Sequence, residues 1–388
     1  MGDLFFFFFP KYSNGEEIAK KELMFELLKH SWLLIIPSIL LLLLLSSTRR
    51  RQKLPPGPWK LPILGNIHQL GLLAHRSLLH LAEKHGPLMH LQLGRIPTIV
   101  FSSPDIALEI LKTLDLAFAS RPTTSPSVAK FWYGGRMAKY DEHWRQIRKF
   151  GRLEIYNMKR VQSFRRVRED EVDVLIQTIC RSSSSKGIFF GSTDTTSSIL
   201  EWIIFELMKN PRVMKKAQDE VRGVVGNKGK VEESDLQQLK YLKLVINETL
   251  RLHPPGLLLA PRECREECNL QGYKIPVGTM VIVNAWAIMR DPKLWENPDD
   301  FIPERFDGVA MNYRGQHFQF IPFGAGRRMC PGMQLGIAIV EITIANVLYH
   351  FNWALPAGTD MGMTESMPVA HRKKSPLILK ATPRMALV

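Results

Sequence analysis

Residues 323–332 read FGAGRRMCPG and lead directly into an apolar run ending at His350; no other stretch restricts the folding of this chain so tightly. Its three glycines, Gly324, Gly326 and Gly332, permit sharp turns and let the backbone approach a flat partner with amide N–H groups turned toward it. Cys330 is expected at the helix N-cap and Pro331 at the first helical position, so the positive helix end faces the sulfur and favours thiolate over thiol. A thiolate binds iron, and Arg327 and Arg328 can neutralise the carboxylates of an iron macrocycle. Arg328, two residues from the sulfur, is the better placed. A glycine-rich loop with a buried thiol is the plainer reading of a single cysteine, but the ten-residue pattern outweighs it.

Four cysteines in 388 residues (Cys180, Cys264, Cys268 and Cys330), without even spacing, point to a reducing compartment rather than a disulfide scaffold. Cys264 and Cys268 lack a second ligand pair at zinc-finger spacing and read as incidental. The net charge of +15 suits an acidic partner or an anionic membrane surface. Nucleic acid is not expected, because the basic residues are interspersed with acids and no helix-turn-helix, finger or RNP pattern accompanies them.

Residues 31–48 carry no charge and are just long enough for a tilted membrane span. Arg49, Arg50, Arg51 and Lys53 follow at once, so the positive-inside rule keeps them cytosolic and puts residues 1–30 in the lumen. A cleaved signal peptide is the rival; the absence of a small-x-small site and the arginines on the exit side favour an uncleaved anchor. Residues 49–58 form a basic, proline-rich hinge, stiffened by Pro55, Pro56 and Pro58. Residues 59–388 make one domain.

Along that domain, helices are expected over residues 75–85, 104–112, 143–150, 159–180, 199–209, 211–225, 235–252 and 333–350. Ser234 and Gln237 supply a capping box for the seventh. Short strands fit residues 88–93, 98–101, 280–283 and both sides of Pro356, so the fold class is mainly α with small β-sheets.

The motif F-x-x-G-x-R-x-C-x-G, with every defined position present from Phe323 to Gly332, resembles the haem-binding signature of the cytochrome P450 family. Residues 248–251 (ETLR) and 303–306 (PERF) resemble its two upstream elements, in the right order. Glu248 and Arg251, at i and i+3, can pair and hold Arg305 in a buried charge network. Trp144 and Arg148 resemble the family's W-x-x-x-R, which donates to a haem propionate, and Arg262 looks like another propionate partner. Residues 191–196 (GSTDTT) resemble the oxygen-activation stretch of the distal helix, with Ser192 in place of a glycine. There Asp194 and Thr195 are implied to relay protons.

The resemblance implies a P450 fold with haem b held through Cys330, preceded by a transmembrane helix. It implies a monooxygenase acting on a small hydrophobic substrate, in the manner of plant microsomal members that oxidise terpenoids and phenolics in secondary metabolism. NADPH would act through a separate NADPH-cytochrome P450 reductase, since no dinucleotide fingerprint follows a strand here. Arg145, Arg148, Lys149 and Arg152 could contribute to its docking face. The implied location is the endoplasmic reticulum membrane, single-pass, with a cytosolic catalytic domain. One departure is large: near residues 181–190 the chain passes straight from a helix to the oxygen-activation stretch, where the family places several more helices. Truncation there keeps open a second reading, a catalytically impaired splice form or pseudo-enzyme that retains the haem-binding half.

Overall fold

A computed structural model describes residue 38 and residues 54–122, 138–182, 188–190, 195–356, 358, 365–366, 371–373 and 377–384. Apart from Ser38, the expected span over residues 31–48 lies outside the described residues, as do residues 1–30 and Asp194. Internal contacts divide the chain between Lys53 and Leu54, and every element from Ala74 onward belongs to the second unit.

Helix α1 (Ala74–His85) buries His75, Leu78 and Ala82 along one stripe and stops at Gly86, whose φ of 97° a side chain would resist. Strands β1 (Leu88–Leu93) and β2 (Ile96–Phe101) then pair antiparallel, from Leu88 opposite Phe101 to Leu93 opposite Ile96. Helix α2 (Pro104–Leu108) opens with Ser103 Oγ accepting from the Ile106 N–H, and widens into a π turn over Glu109–Thr113 that carries the chain to Asp115. Helix α3 (Glu142–Phe150) is capped by the Asp141 carboxylate, which accepts from the Trp144 N–H at 2.7 Å.

The single helix expected over residues 159–180 is two, α4 (Met158–Ser163) and α5 (Arg165–Ser182), broken at Phe164. Arg168 explains the break: its Nη1 takes the Val161 carbonyl oxygen at 2.6 Å, while Nε and Nη2 clamp Glu233 at 2.6 and 2.9 Å. A charged donor that bonds a carbonyl inside the turn competes with continuation of the helix. Strand β3 (Ile188–Phe190) comes after it.

Helices α6 (Thr195–Lys209), α7 (Pro211–Val225) and α8 (Lys240–Leu252) come next. The capping box at Ser234 does not form. Ser234 has helical dihedrals and no capping bond, and Asp235–Gln237 is one 3₁₀ turn ahead of α8. The start of α8 is instead capped from α7, where Glu220 accepts the N–H groups of Tyr241 (2.7 Å) and Leu242 (2.8 Å). A carboxylate at a helix N-terminus satisfies donors the helix cannot, whichever element supplies it.

Strand β4 (Arg262–Glu263), the hairpin β5 (Cys268–Leu270) and β6 (Tyr273–Ile275), strand β7 (Met280–Val283) and the short helix α9 (Ala285–Ile288) complete the sheet region. The main sheet runs β1-β2-β7-β4, with β7 parallel to β2 and antiparallel to β4. Helix α10 (Met333–His350) is apolar on nearly all sides. It is the described helix long and apolar enough to cross a membrane, yet it is largely buried within the domain, packed against α5, α6, α7 and α8. Strands β8 (Phe351–Ala354), β9 (Glu365–Ser366), β10 (Arg372–Lys373) and β11 (Leu377–Pro383) end the chain's described elements; β11 joins β8 and β3 in a second sheet. The architecture is mainly helical with small sheets.

Candidate functional site

The loop before α10 is held by its own backbone: Gly324 N–H reaches Ile321 O at 2.9 Å, Met329 N–H reaches Gly326 O at 3.1 Å, and Cys330 N–H reaches Phe323 O at 3.0 Å. Gly326 is required by more than its φ of 70°. An added Cβ would stand 2.2 Å from the Leu111 carbonyl oxygen and 2.7 Å from an Asp115 oxygen, so this glycine seats the loop on α2 and its π turn. Gly324 also has a positive φ, whereas a Cβ at Gly332 would meet only Tyr156, at an ordinary 3.8 Å. Phe323 is half-buried with its ring edge-on to Tyr313.

Cys330 does not occupy the helix N-cap. That position is Gly332, and α10 begins at Met333. The bond from Cys330 to Phe323 closes the loop first, so Pro331 and Gly332 are spent on the turn into the helix. Cys330 is an exposed residue. Two residues farther from the first turn, it feels less of the helix dipole than an N-cap sulfur does.

On and around this loop the fold assembles arginines from four separate segments. Arg328, buried, donates from Nε to Ala119 O (2.6 Å) and from Nη2 to Ala138 O (2.7 Å), with its guanidinium 3.9 Å from the Trp144 ring centre. Arg148, half-buried on α3, donates to Met329 O, next to Cys330. Arg262 on β4 donates to Asp115 (2.8 Å) and to Ala325 O (2.7 Å). Buried Arg121 donates to the carbonyl oxygens of Ala260 and Pro261. Asp115 is the carboxylate that pairs directly with this group, since it also accepts the Arg327 N–H at 2.8 Å.

Most of these guanidiniums are therefore bound to neutral carbonyls, and the cluster keeps positive charge in a poorly solvated place. Burial, followed by repulsion from Arg262 and Arg148, pushes Arg328 down to about 10. Burial also lowers Arg262, against the pull of Asp115, and lowers Arg148. Arg328 Nη1 is buried and, among the described residues, has no hydrogen-bond partner. An exposed cysteine in a loop held by a charge-rich donor set with an unused guanidinium nitrogen fits an iron-bearing dianion that would take a sulfur ligand and present two carboxylates. Sequence reasoning missed Asp115 and Arg121, which belong to no motif and join the cluster only through tertiary folding. Tyr140, tilted on Trp144 at 5.1 Å, was missed for the same reason.

Behind the loop, Glu248 and Arg251 on α8 are fully buried and form a two-bond pair, both bonds at 2.8 Å. Arg305 Nε donates to the same carboxylate at 3.0 Å, and the Ile302 N–H adds a fourth donor at 3.0 Å. Arg251 also holds the carbonyls of Met289, Pro298 and Asp300, and Trp295 lies beneath both guanidiniums. This network fixes the segment from 289 to 305 to α8.

Thr195 is the exposed first residue of α6. Of the basic residues on α3 and the π turn that follows it (Gly151–Ile155), Arg148 faces inward to Met329 while Arg145, Lys149 and Arg152 are exposed; Arg145 is paired with Glu142. Cys264 and Cys268, read from sequence as incidental, have their sulfurs 4.0 Å apart.

A mainly helical domain with a cysteine loop set among arginines fits the haem-thiolate proteins, and the comparisons with known proteins agree. The family model Cytochrome P450 matches residues 55–188 and 182–381. The chain is 38% identical over 466 residues to desmethyl-deoxy-podophyllotoxin synthase of Sinopodophyllum hexandrum, covering 85% of this chain and 92% of that one. It is 38% identical over 435 residues to costunolide synthase of Cichorium intybus (79% and 88%), and 38% identical over 468 residues to tabersonine 3-oxygenase of Catharanthus roseus (85% and 92%). The chain belongs to the cytochrome P450 family, whose prosthetic group is haem iron, and is by family a monooxygenase. The family match falls in two pieces that meet at residues 182–188. In the first alignment about 330 residues of this chain, 85% of 388, face 466 positions, so the alignment is far longer than the part of the chain it covers.

Proposed function

We propose that the protein is a membrane-anchored monooxygenase that inserts one oxygen atom from dioxygen into a small hydrophobic substrate of the terpenoid or phenolic class. Electrons come from NADPH through a separate cytochrome P450 reductase. The observation that carries this reading is the exposed residue Cys330 in a loop held by Arg328, Arg148 and Arg262. When bound, haem supplies the reductive activation of dioxygen. Cys330 would hold it through its sulfur, Arg328, Arg262, Trp144 and Arg148 would serve its carboxylates, and Phe323, Gly324, Gly326 and Gly332 would shape the loop. Asp194 and Thr195 would deliver protons, and Glu248, Arg251 and Arg305 keep the supporting frame rigid. The substrate class is supported by the relatives, whose names include costunolide synthase and tabersonine 3-oxygenase.

Residues 31–48 anchor the chain in the endoplasmic reticulum membrane, with residues 1–30 lumenal, residues 49–58 as hinge and residues 59–388 cytosolic. The test is the spectrum of the reduced full chain under carbon monoxide, in microsomes. A strongly red-shifted Soret band is expected in the parent and not in Cys330→Ala. Thr195→Ala keeps the band and diverts electrons to peroxide; unchanged product yield in that variant removes the proton-delivery role. The split family match favours one rival, a shortened and catalytically impaired form retaining the haem-binding half. Parent protein that never takes up haem decides for that rival.

A further inference from the structure

We propose that Cys264 and Cys268 are a redox-active dithiol, oxidised by hydrogen peroxide to a disulfide and restored by a dithiol reductant. Cys264 follows β4 directly and is fixed on the sheet, its N–H donating to Thr279 O at 2.9 Å and its carbonyl accepting from Gly278 at 2.8 Å. Cys268 opens β5 opposite Ile275. Only Arg265, Glu266 and Glu267 intervene, and the chain folds back so that the sulfurs meet at 4.0 Å. Bond formation requires closure to about 2.05 Å, within reach of side-chain rotation and a small shift in the link. Among the described residues no group of three histidine, cysteine or acidic side chains that could hold a metal ion includes them.

The two thiols are unequal. Cys264 is fully buried, whereas Cys268 is partly exposed, so peroxide meets Cys268 first. The shared hydrogen bond pulls the Cys268 thiol below its usual range, against burial and the carboxylates of Glu266, Glu109 and Glu267. The same contact and burial raise Cys264. A more acidic, accessible attacking thiol with a resolving thiol beside it is the arrangement that reversible oxidation requires. The Cys268 thiolate attacks one peroxide oxygen and the O–O bond breaks. This leaves a sulfenic acid and a hydroxide that takes a proton from solvent. The Cys264 sulfur then displaces the sulfenic oxygen as water, its own proton leaving with it. Two thiols lose two electrons and two protons, and one peroxide becomes two waters. This inference rests on the β4–β5 geometry and is independent of the monooxygenase reading.

The experiment uses the full chain treated with hydrogen peroxide and digested with trypsin without reductant. Cleavage after Arg262, Arg265 and Lys274 puts the two cysteines on separate peptides, residues 263–265 and 266–274. The expected product is these peptides joined, two hydrogens lighter than their sum, and separated again by a dithiol. In Cys264→Ser, Cys268 is expected to stop at the sulfenic acid and be captured by a 1,3-diketone probe. In Cys268→Ser, Cys264 should remain a thiol. Oxidation of Cys268 in the parent straight to sulfinic acid with no joined peptides overturns the proposal. So does a link from either cysteine to Cys180 or Cys330 in its place.

Discussion

Arg328 sits over Trp144, its guanidinium carbon 3.9 Å from the indole ring centre, so the helix that carries Trp144 positions the arginine two residues from Cys330. A desolvated guanidinium over an indole gains about 1–2 kcal/mol. Trp144→Leu is therefore expected to leave the domain folded and to weaken haem retention roughly tenfold. The haem-to-protein ratio after gel filtration measures this; a ratio equal to the parent's would separate Trp144 from the cofactor site.

Glu248 compensates two guanidiniums in the interior. Glu248→Gln keeps the volume but removes the charge between Arg251 and Arg305, and breaking one partner of a buried pair costs about 3–5 kcal/mol. The midpoint of denaturant unfolding should fall accordingly, with aggregation on expression as the extreme outcome. Arg305→Lys, at the more accessible end of the network, should cost less, because Arg251 still holds the carboxylate with two bonds.

His253 is fully buried, 2.7 Å from Glu206 and stacked on Trp202 at 3.9 Å, and burial pushes it down to about 4 despite that carboxylate. Above the ordinary value of 6.5 both folded and unfolded chains carry it neutral. As pH falls from 6.5 toward 4 the unfolded chain takes the proton first, so stability drops across that window by something on the order of 3 kcal/mol. Unfolding midpoints at pH 7 and pH 5 should differ in the parent, and the difference should shrink in His253→Gln, which retains a donor for Glu206.

Two glycines should respond in opposite directions. Gly326→Ala forces a Cβ to within 2.2 Å of the Leu111 carbonyl at a positive φ, so the cysteine loop should detach from α2 and stability fall by about 1–3 kcal/mol. Gly336→Ala lies within α10, where an added Cβ meets nothing within 4 Å, and should stabilise the fold by about 0.5–1 kcal/mol. Thermal unfolding of the two variants beside the parent reads both effects.

Where local periodicity decides the outcome, the sequence was a sufficient guide. Residues 211–225 and 333–350 are helices with those bounds, because the proline-led start at Pro211 and the dense apolar spacing of residues 333–350 act within one turn. The expectations that failed depended on distant partners. Ser234 did not cap α8 because Glu220 of another helix takes the N–H groups, and the helix over residues 159–180 broke because Arg168 reaches for Glu233. At the site, Cys330 and its glycines were visible as a motif, while Asp115 could not be, since its partners lie 147 and 212 positions away. The 4.0 Å approach of Cys264 and Cys268 was hidden likewise, because spacing alone does not say whether a three-residue link folds back.

Helix α10, which α5, α6, α7 and α8 all pack against, is among the last elements to be synthesised. At about 5–20 residues per second, a ribosome needs roughly 20–70 s to reach its end, and until then the faces that four helices turn toward α10 lack that partner. The order of translation thus leaves apolar surface on the nascent chain until α10 is made, and incomplete chains are the ones expected to aggregate. A stop codon anywhere before residue 350 would remove the keystone on which the earlier helices close.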